Sequence, residues 1–102
     1  MQIGCDIVEN KRLKNKNQRF IDLVLTKNEQ ELYKVEGLLF LTGRFAAKEA
    51  IFKCLNNTKE LNFLDIEILK DENGAPICNI DNVCVSISHE KEYTIAYALK
   101  KQ

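Results

Sequence analysis

The sequence predicts a single α+β domain, and three observations carry that prediction. Helical periodicity occupies the first half of the chain and period-two alternation the second, with Asp71-Glu72-Asn73-Gly74 as a hairpin turn inside the second half. At 102 residues and 45% hydrophobic composition, the chain has enough apolar material for one core and too little length for two domains. One domain over residues 1–102 is expected.

Residues 1–9 alternate loosely and read as a strand. Residues 10–19 carry five positive charges and no acid. They are either a solvated loop or helix end, or a docking patch for an acidic partner. A short amphipathic helix is expected from Arg19 to Leu25. Thr26-Lys27-Asn28-Glu29 has capping-box spacing and should start a second helix through about Val35. Residues Leu38 to Leu55 form the longest helical segment. Leu61–Lys70 reads as a strand, and Asn73-Gly74 tolerates the positive φ of a tight turn, so Ala75–Ile80 should return antiparallel. Val83, Val85 and Ile87 alternate with Cys84, Ser86 and Ser88. Tyr93, Ile95, Tyr97 and Leu99 alternate with Thr94, Ala96 and Ala98. Both are strand patterns.

Several function classes are disfavoured. Fifteen Lys and Arg balance fifteen Asp and Glu, which argues against a general nucleic-acid binder. No apolar run approaches the ~18 residues of a membrane span. The start, Met1-Gln2-Ile3-Gly4-Cys5-Asp6, lacks the basic and apolar regions of a signal peptide. A cytoplasmic protein is expected. Cys5, Cys54, Cys78 and Cys84 form no close pair and share the chain with one histidine, so reduced thiols fit better than zinc. A chain this short buries roughly two-thirds of its unfolded surface, so oligomerisation would help it.

The charges on the long helix carry the chemistry. On a helical wheel, Thr42, Glu49 and Lys53 share a narrow polar arc, and nearly everything else is apolar or small. Arg44 and Lys48 stack one turn apart among Leu41, Ile51, Phe52 and Leu55. Charges there must be paired, snorkel to water or face a bound ion. Arg and Lys on one face suit an anion such as phosphate. Glu49 would fit beside phosphate if a divalent cation intervened, and Mg²⁺ is typically held by one or two carboxylates plus substrate phosphates. Asp6, with Glu9 after it, offers a second carboxylate; turn formation is the plainer reading of both. His89 ends a strand before the turn Glu90-Lys91-Glu92. It is either an exposed loop residue or a phosphate donor and proton carrier.

These residues together resemble a known family. Phe40-Leu41-Thr42-Gly43-Arg44-Phe45-Ala46-Ala47-Lys48-Glu49-Ala50, followed by Lys53, resembles the signature helix of the holo-[acyl-carrier-protein] synthases, small phosphopantetheinyl transferases of fatty-acid biosynthesis. Gly4-Cys5-Asp6-Ile7-Val8-Glu9 is similar to the family's metal-site strand, and Val85-Ser86-Ile87-Ser88-His89 to its C-terminal strand. The segments from Arg19 to Glu29 and from Leu61 to Gly74 also match, so the resemblance spans nearly the whole chain.

The resemblance implies the phosphopantetheinyl transferase fold, with helices packed on a mostly antiparallel sheet. It implies transfer of the 4′-phosphopantetheine arm of coenzyme A to a serine of apo acyl carrier protein, releasing adenosine 3′,5′-bisphosphate. It makes Asp6 and Glu49 ligands of Mg²⁺, with Mn²⁺ as the alternative ion, and Glu49 or a metal-bound water the candidate base. Lys48, taken with Asp6 and Glu49 as catalytic, and Lys53 would contact the coenzyme A phosphates. Arg44 and His89 would hold its nucleotide end. Arg12, Arg19 and Phe20 would dock the acidic carrier. A homotrimer with sites between subunits is implied, and the small size and almost wholly apolar long helix agree with assembly. The chain departs from the family after Lys53, where Cys54-Leu55-Asn56-Asn57-Thr58 lacks the usual glycine, and in a shorter basic loop before Arg19. The alternative reading is an inactive coenzyme A-binding module of the same fold.

Overall fold

The computed structural model of the chain describes residues 1–56 and 60–101. Strand β1 (Gln2–Glu9) leads through a 3-10 turn at Asn10–Leu13 into helices α1 (Gln18–Val24), α2 (Lys27–Glu36) and α3 (Leu38–Cys54). A second 3-10 turn at Phe63–Asp65 precedes β2 (Ile68–Lys70), β3 (Pro76–Cys78), β4 (Val83–His89) and β5 (Tyr93–Lys100). The long strands form an antiparallel sheet in the order β1-β5-β4, and β2 and β3 make a separate hairpin. Asp6 lies opposite Ala96, and His89 opposite Thr94. Among the described residues, no helix is long and apolar enough to cross a membrane.

Local chemistry sets the helix starts. Asn17 Oδ1 accepts from the Phe20 amide at 3.0 Å and opens α1. The predicted capping box opens α2: the Glu29 amide donates to Thr26 Oγ1 at 3.2 Å, and the Thr26 amide to Glu29 Oε1 at 2.8 Å.

The strand predicted over Leu61–Lys70 shrinks to Ile68–Lys70. Upstream of it, Asn62 donates its amide to Asp65 Oδ2 at 2.8 Å and turns the chain, which points Phe63 at a Phe45–Phe52 cluster. The return strand is Pro76–Cys78, and in the turn before it Gly74 takes the positive φ of 84° while Asn73 does not.

Helix α3 is the centre of the core, with the sheet on one side and α2 and the first 3-10 turn among its other neighbours. It lies so close to β1 that a side chain on Gly4 would collide with the Ala50 carbonyl and the Cys54 amide. Leu41, Ala46, Ala47, Ala50 and Ile51 are fully buried, so the apolar surround of this helix is consumed inside a single chain. A patch of exposed apolar side chains lies instead on the outer face of the sheet. There Ile3, Ile7, Tyr93 and Tyr97 are 68%, 59%, 45% and 48% exposed. The small inward residues Thr94, Ala96 and Ala98 make room for α3, which leaves the larger side chains of β5 outside.

Candidate active site

The polar arc of α3 faces the sheet. Thr42 is buried against Thr94 of β5, with the two hydroxyl oxygens 3.0 Å apart. Near the other end of the helix, Lys53 Nζ donates to Asp6 Oδ1 and to the Cys5 carbonyl, each at 3.0 Å. Glu49 sits between, half-buried. Burial and the Asp6 charge raise its pKa, against the opposing pull of Lys53. The Lys53 pKa is raised by its bond to Asp6 and by Glu49. Two carboxylates therefore share one exposed ammonium on the β1 side of α3. That is a local excess of negative charge built from hard oxygen donors, which suits a divalent cation such as Mg²⁺.

Arg44 and His89 form a second group on the β4 side. They line a cleft of about 320 Å³ with Glu36, Phe40, Lys70 and Gly74 among its other walls. Arg44 Nε donates to the Ile68 carbonyl at 2.8 Å and Nη2 to the Leu69 carbonyl at 3.1 Å, while Phe40 stacks on the guanidinium at 4.2 Å. These contacts fix the orientation of the guanidinium, whose remaining N–H groups have no protein acceptor among the described residues. Lys70 pairs with Glu36 at 2.6 Å across the cleft wall. Burial and Arg44 lower the His89 pKa.

Lys48 does not reach either group, which corrects the expectation that it contacts phosphate. Its side chain is fully enclosed and ion-paired with Glu29 at 2.6 Å. Its other two protons go to the Val24 and Phe63 carbonyls at 2.7 and 3.0 Å. An ammonium has three donors, and none is left over. Burial pulls the Lys48 pKa down and Glu29 pushes it back up. Lys48 ties the α1 end and the Phe63 turn to α3.

Of the expected carrier-docking residues, Arg12 and Arg19 are exposed. Phe20 packs on Phe45 with ring centroids 6.1 Å apart. Together with Leu23, Phe52 and Phe63 these two rings border an apolar cleft of about 540 Å³. After Lys53, Asn56 adopts φ 54°, the left-handed geometry that glycine would otherwise supply; Asn57 and Thr58 lie outside the described residues. Sequence reasoning missed Glu29, Thr94 and Asn10. Glu29 was read only as a cap, although it also accepts from Lys48 and from the Ile68 amide at 2.7 Å. The signal for Thr94 was a hydroxyl at an inward position of a strand whose next inward residues are alanines.

A profile of the 4′-phosphopantetheinyl transferase superfamily matches residues 2–98. The holo-[acyl-carrier-protein] synthase of Mycoplasma capricolum is 42% identical over 97% of this chain and 93% of its own length. Among solved structures, that of the Bacillus anthracis holo-(acyl-carrier-protein) synthase, in complex with CoA (3′,5′-ADP), superimposes with a TM-score of 0.87 at 39% identity. It covers 95% of this chain and 92% of that one. The Helicobacter pylori synthase in complex with coenzyme A gives 0.85 at 33% identity, over 95% and 97% of the two chains.

Proposed function

As a member of the 4′-phosphopantetheinyl transferase superfamily, to which it belongs alongside the holo-[acyl-carrier-protein] synthases, this chain acts, we propose, as a phosphopantetheinyl transferase. It moves the 4′-phosphopantetheine arm of coenzyme A onto a serine hydroxyl of an apo acyl carrier protein and releases adenosine 3′,5′-bisphosphate. The observation that carries this reading is the meeting of Asp6, Glu49 and Lys53 beside β1, while Arg44 and His89 share a cleft beside β4. One group suits a metal and a reacting phosphate, the other a bound nucleotide.

Asp6 and Glu49 would hold Mg²⁺, or Mn²⁺ in its place, and a bound ion would neutralise charge that develops on the leaving pyrophosphate. Lys53 adds a cation on the same side. Glu49, or a metal-bound water held near it, would be placed to take the proton of the attacking serine. Arg44 and His89 would bind the nucleotide end, including its 3′-phosphate. Arg12, Arg19 and Phe20 would receive the acidic carrier, the two arginines as exposed basic side chains and Phe20 as part of the apolar cleft wall. Lys48 takes no part in phosphate binding in this scheme.

Asp6 and His89 belong to opposite edge strands of the sheet, with β5 between them. A complete site is then best built from the carboxylate side of one protomer and the cationic side of another. The exposed apolar sheet face offers a surface for that assembly, and we place the protein in the cytoplasm as a homotrimer.

The test is mass spectrometry of apo carrier protein incubated with this protein, coenzyme A and Mg²⁺. A mass gain of one phosphopantetheine arm is expected. Binding of coenzyme A with no mass gain would overturn transfer and leave an inactive coenzyme A-binding module.

A further inference from the structure

His89 does not face its cleft unaided. Its Nδ1 lies 2.8 Å from Thr94 Oγ1, inside the protein, while its Nε2, on the far side of a ring that lines the cleft, has no hydrogen-bond partner among the described residues. Thr94 is fully buried, and three polar atoms converge on its hydroxyl oxygen. They are His89 Nδ1, Thr42 Oγ1 at 3.0 Å and Asn10 Oδ1 at 2.7 Å. The direction of each bond follows from counting protons.

Asn10 anchors the count. It is 5% exposed, and its Nδ2 donates to the Glu90 and Lys91 carbonyls at 3.1 and 3.3 Å. Rotating the amide would set its oxygen against two carbonyl oxygens, so Oδ1 must face Thr94. Oδ1 carries no proton and accepts the single proton of the Thr94 hydroxyl. The Thr94 oxygen then has only lone pairs to offer Thr42 and His89, so His89 Nδ1 must bring a proton of its own.

We propose that Asn10 and Thr94 are positioning residues that lock neutral His89 in its Nδ1–H tautomer, which leaves Nε2 as the proton-accepting atom aimed into the cleft beside Arg44. This inference rests on the reading of that cleft as the nucleotide's phosphate site for its functional meaning, though not for its structural content. Neutral His89 presents a lone pair to an anion, which is repulsive. Once Nε2 is protonated it presents an N–H instead. An anion held by Arg44 and His89 therefore arrives together with a proton. The other charged groups around the ring are few. Arg44 faces it from α3, and Glu36 of α2 and Lys70 of β2 pair with each other in the cleft wall. Glu90 and Lys91 follow it in the turn, where their carbonyls are bound to Asn10.

His89 is the single histidine of the chain, so its ring nitrogens can be read without assignment ambiguity by long-range ¹H–¹⁵N NMR. At a pH where the ring is neutral, the intact protein should show a protonated Nδ1 and a bare Nε2. Thr94→Val leaves Nδ1–H facing a methyl group, so the ring should revert to Nε2–H, which can donate to solvent. Thr94→Ser should restore the Nδ1–H form. A bare Nδ1 in the unaltered protein, or an unchanged tautomer in Thr94→Val, would overturn the proposal. The unaltered protein alone decides the first point, should the variant fail to fold.

A second arm uses adenosine 3′,5′-bisphosphate as the probe. Its Kd should rise about tenfold or more as pH increases through the His89 pKa, the loss of one charge-assisted hydrogen bond. In Thr94→Val the neutral ring already presents an Nε2–H, so this dependence should flatten; an equally steep profile in the variant would overturn the proposal. The ligand's own titration is common to both proteins. A His89 pKa that the nucleotide leaves unmoved, with the Nδ1–H tautomer observed, would sink the nucleotide reading of the cleft and uphold the tautomer lock.

Discussion

Replacing Lys48 with methionine separates a structural role from a phosphate-binding one. In the folded protein the Lys48 and Glu29 side chains are both 0% exposed and 2.6 Å apart. The substitution keeps most of the side-chain volume and removes the charge. Glu29 would keep its bonds from the Thr26 and Ile68 amides but lose its counter-charge, and the Val24 and Phe63 carbonyls would lose a donor. Breaking one partner of a buried pair costs about 3–5 kcal/mol, a large share of the ~5–15 kcal/mol that holds a domain folded. With a urea m-value near ~1.5 kcal/mol/M, the unfolding midpoint should fall by about 2–3 M. Measurements at one fixed protomer concentration keep any subunit equilibrium constant. Replacing both members, Lys48→Met with Glu29→Leu, should recover part of the loss, because no uncompensated charge remains. The reasoning is refuted if Lys48→Met leaves the midpoint within about 0.5 M of the starting protein while the KM for coenzyme A rises.

Asp6→Asn and Glu49→Gln should each abolish transfer while stability stays within about 1 kcal/mol, since neither is a core side chain. Near-normal rates at limiting Mg²⁺ would remove that residue from the ligand set. Arg12→Glu together with Arg19→Glu should raise the KM for the carrier about tenfold or more, with little change for coenzyme A. Added salt should raise the unaltered protein's carrier KM in the same direction, and carrier kinetics unaffected by the reversals would leave the segment without a docking role. Ile7→Glu places a charge on the exposed apolar sheet face and should convert a trimer to monomers in sedimentation equilibrium. A monomer at micromolar concentration before any substitution would count against the assembly itself.

Much of the fold was legible because its signals are local. The Thr26–Glu29 box, the apolar length of α3 and the alternation of β4 and β5 depend on residues a few positions apart. The Leu61–Lys70 segment misled because its alternation is also what a capped turn feeding one phenylalanine into an aromatic cluster produces. In the site, Asp6, Glu49 and Lys53 gather beside β1 while Arg44 and His89 share a cleft beside β4, and their roles rest on the proposal above. Lys48 was illegible for a physical reason. Its counter-ion lies 19 positions away on another helix, and a wheel drawn for α3 alone shows a cation without the anion that neutralises it. The roles of Asn10 and Thr94 were hidden likewise, by an 84-residue separation that only the β1–β5 pairing closes.

The placement of the carboxylates and of the Arg44–His89 cleft on opposite edge strands has a genetic reading. If each working site draws one half from each of two neighbouring chains, a lesion at Asp6 and a lesion at His89 are complementary defects. Either protein alone is dead in every site. Dissociated and reassembled together, the two form mixed rings in which one junction joins the sound half of each. Random mixing in equal amounts would rebuild about a quarter of all sites in a ring of three. Two inactive alleles expressed in one cell would then restore transfer that neither supports alone.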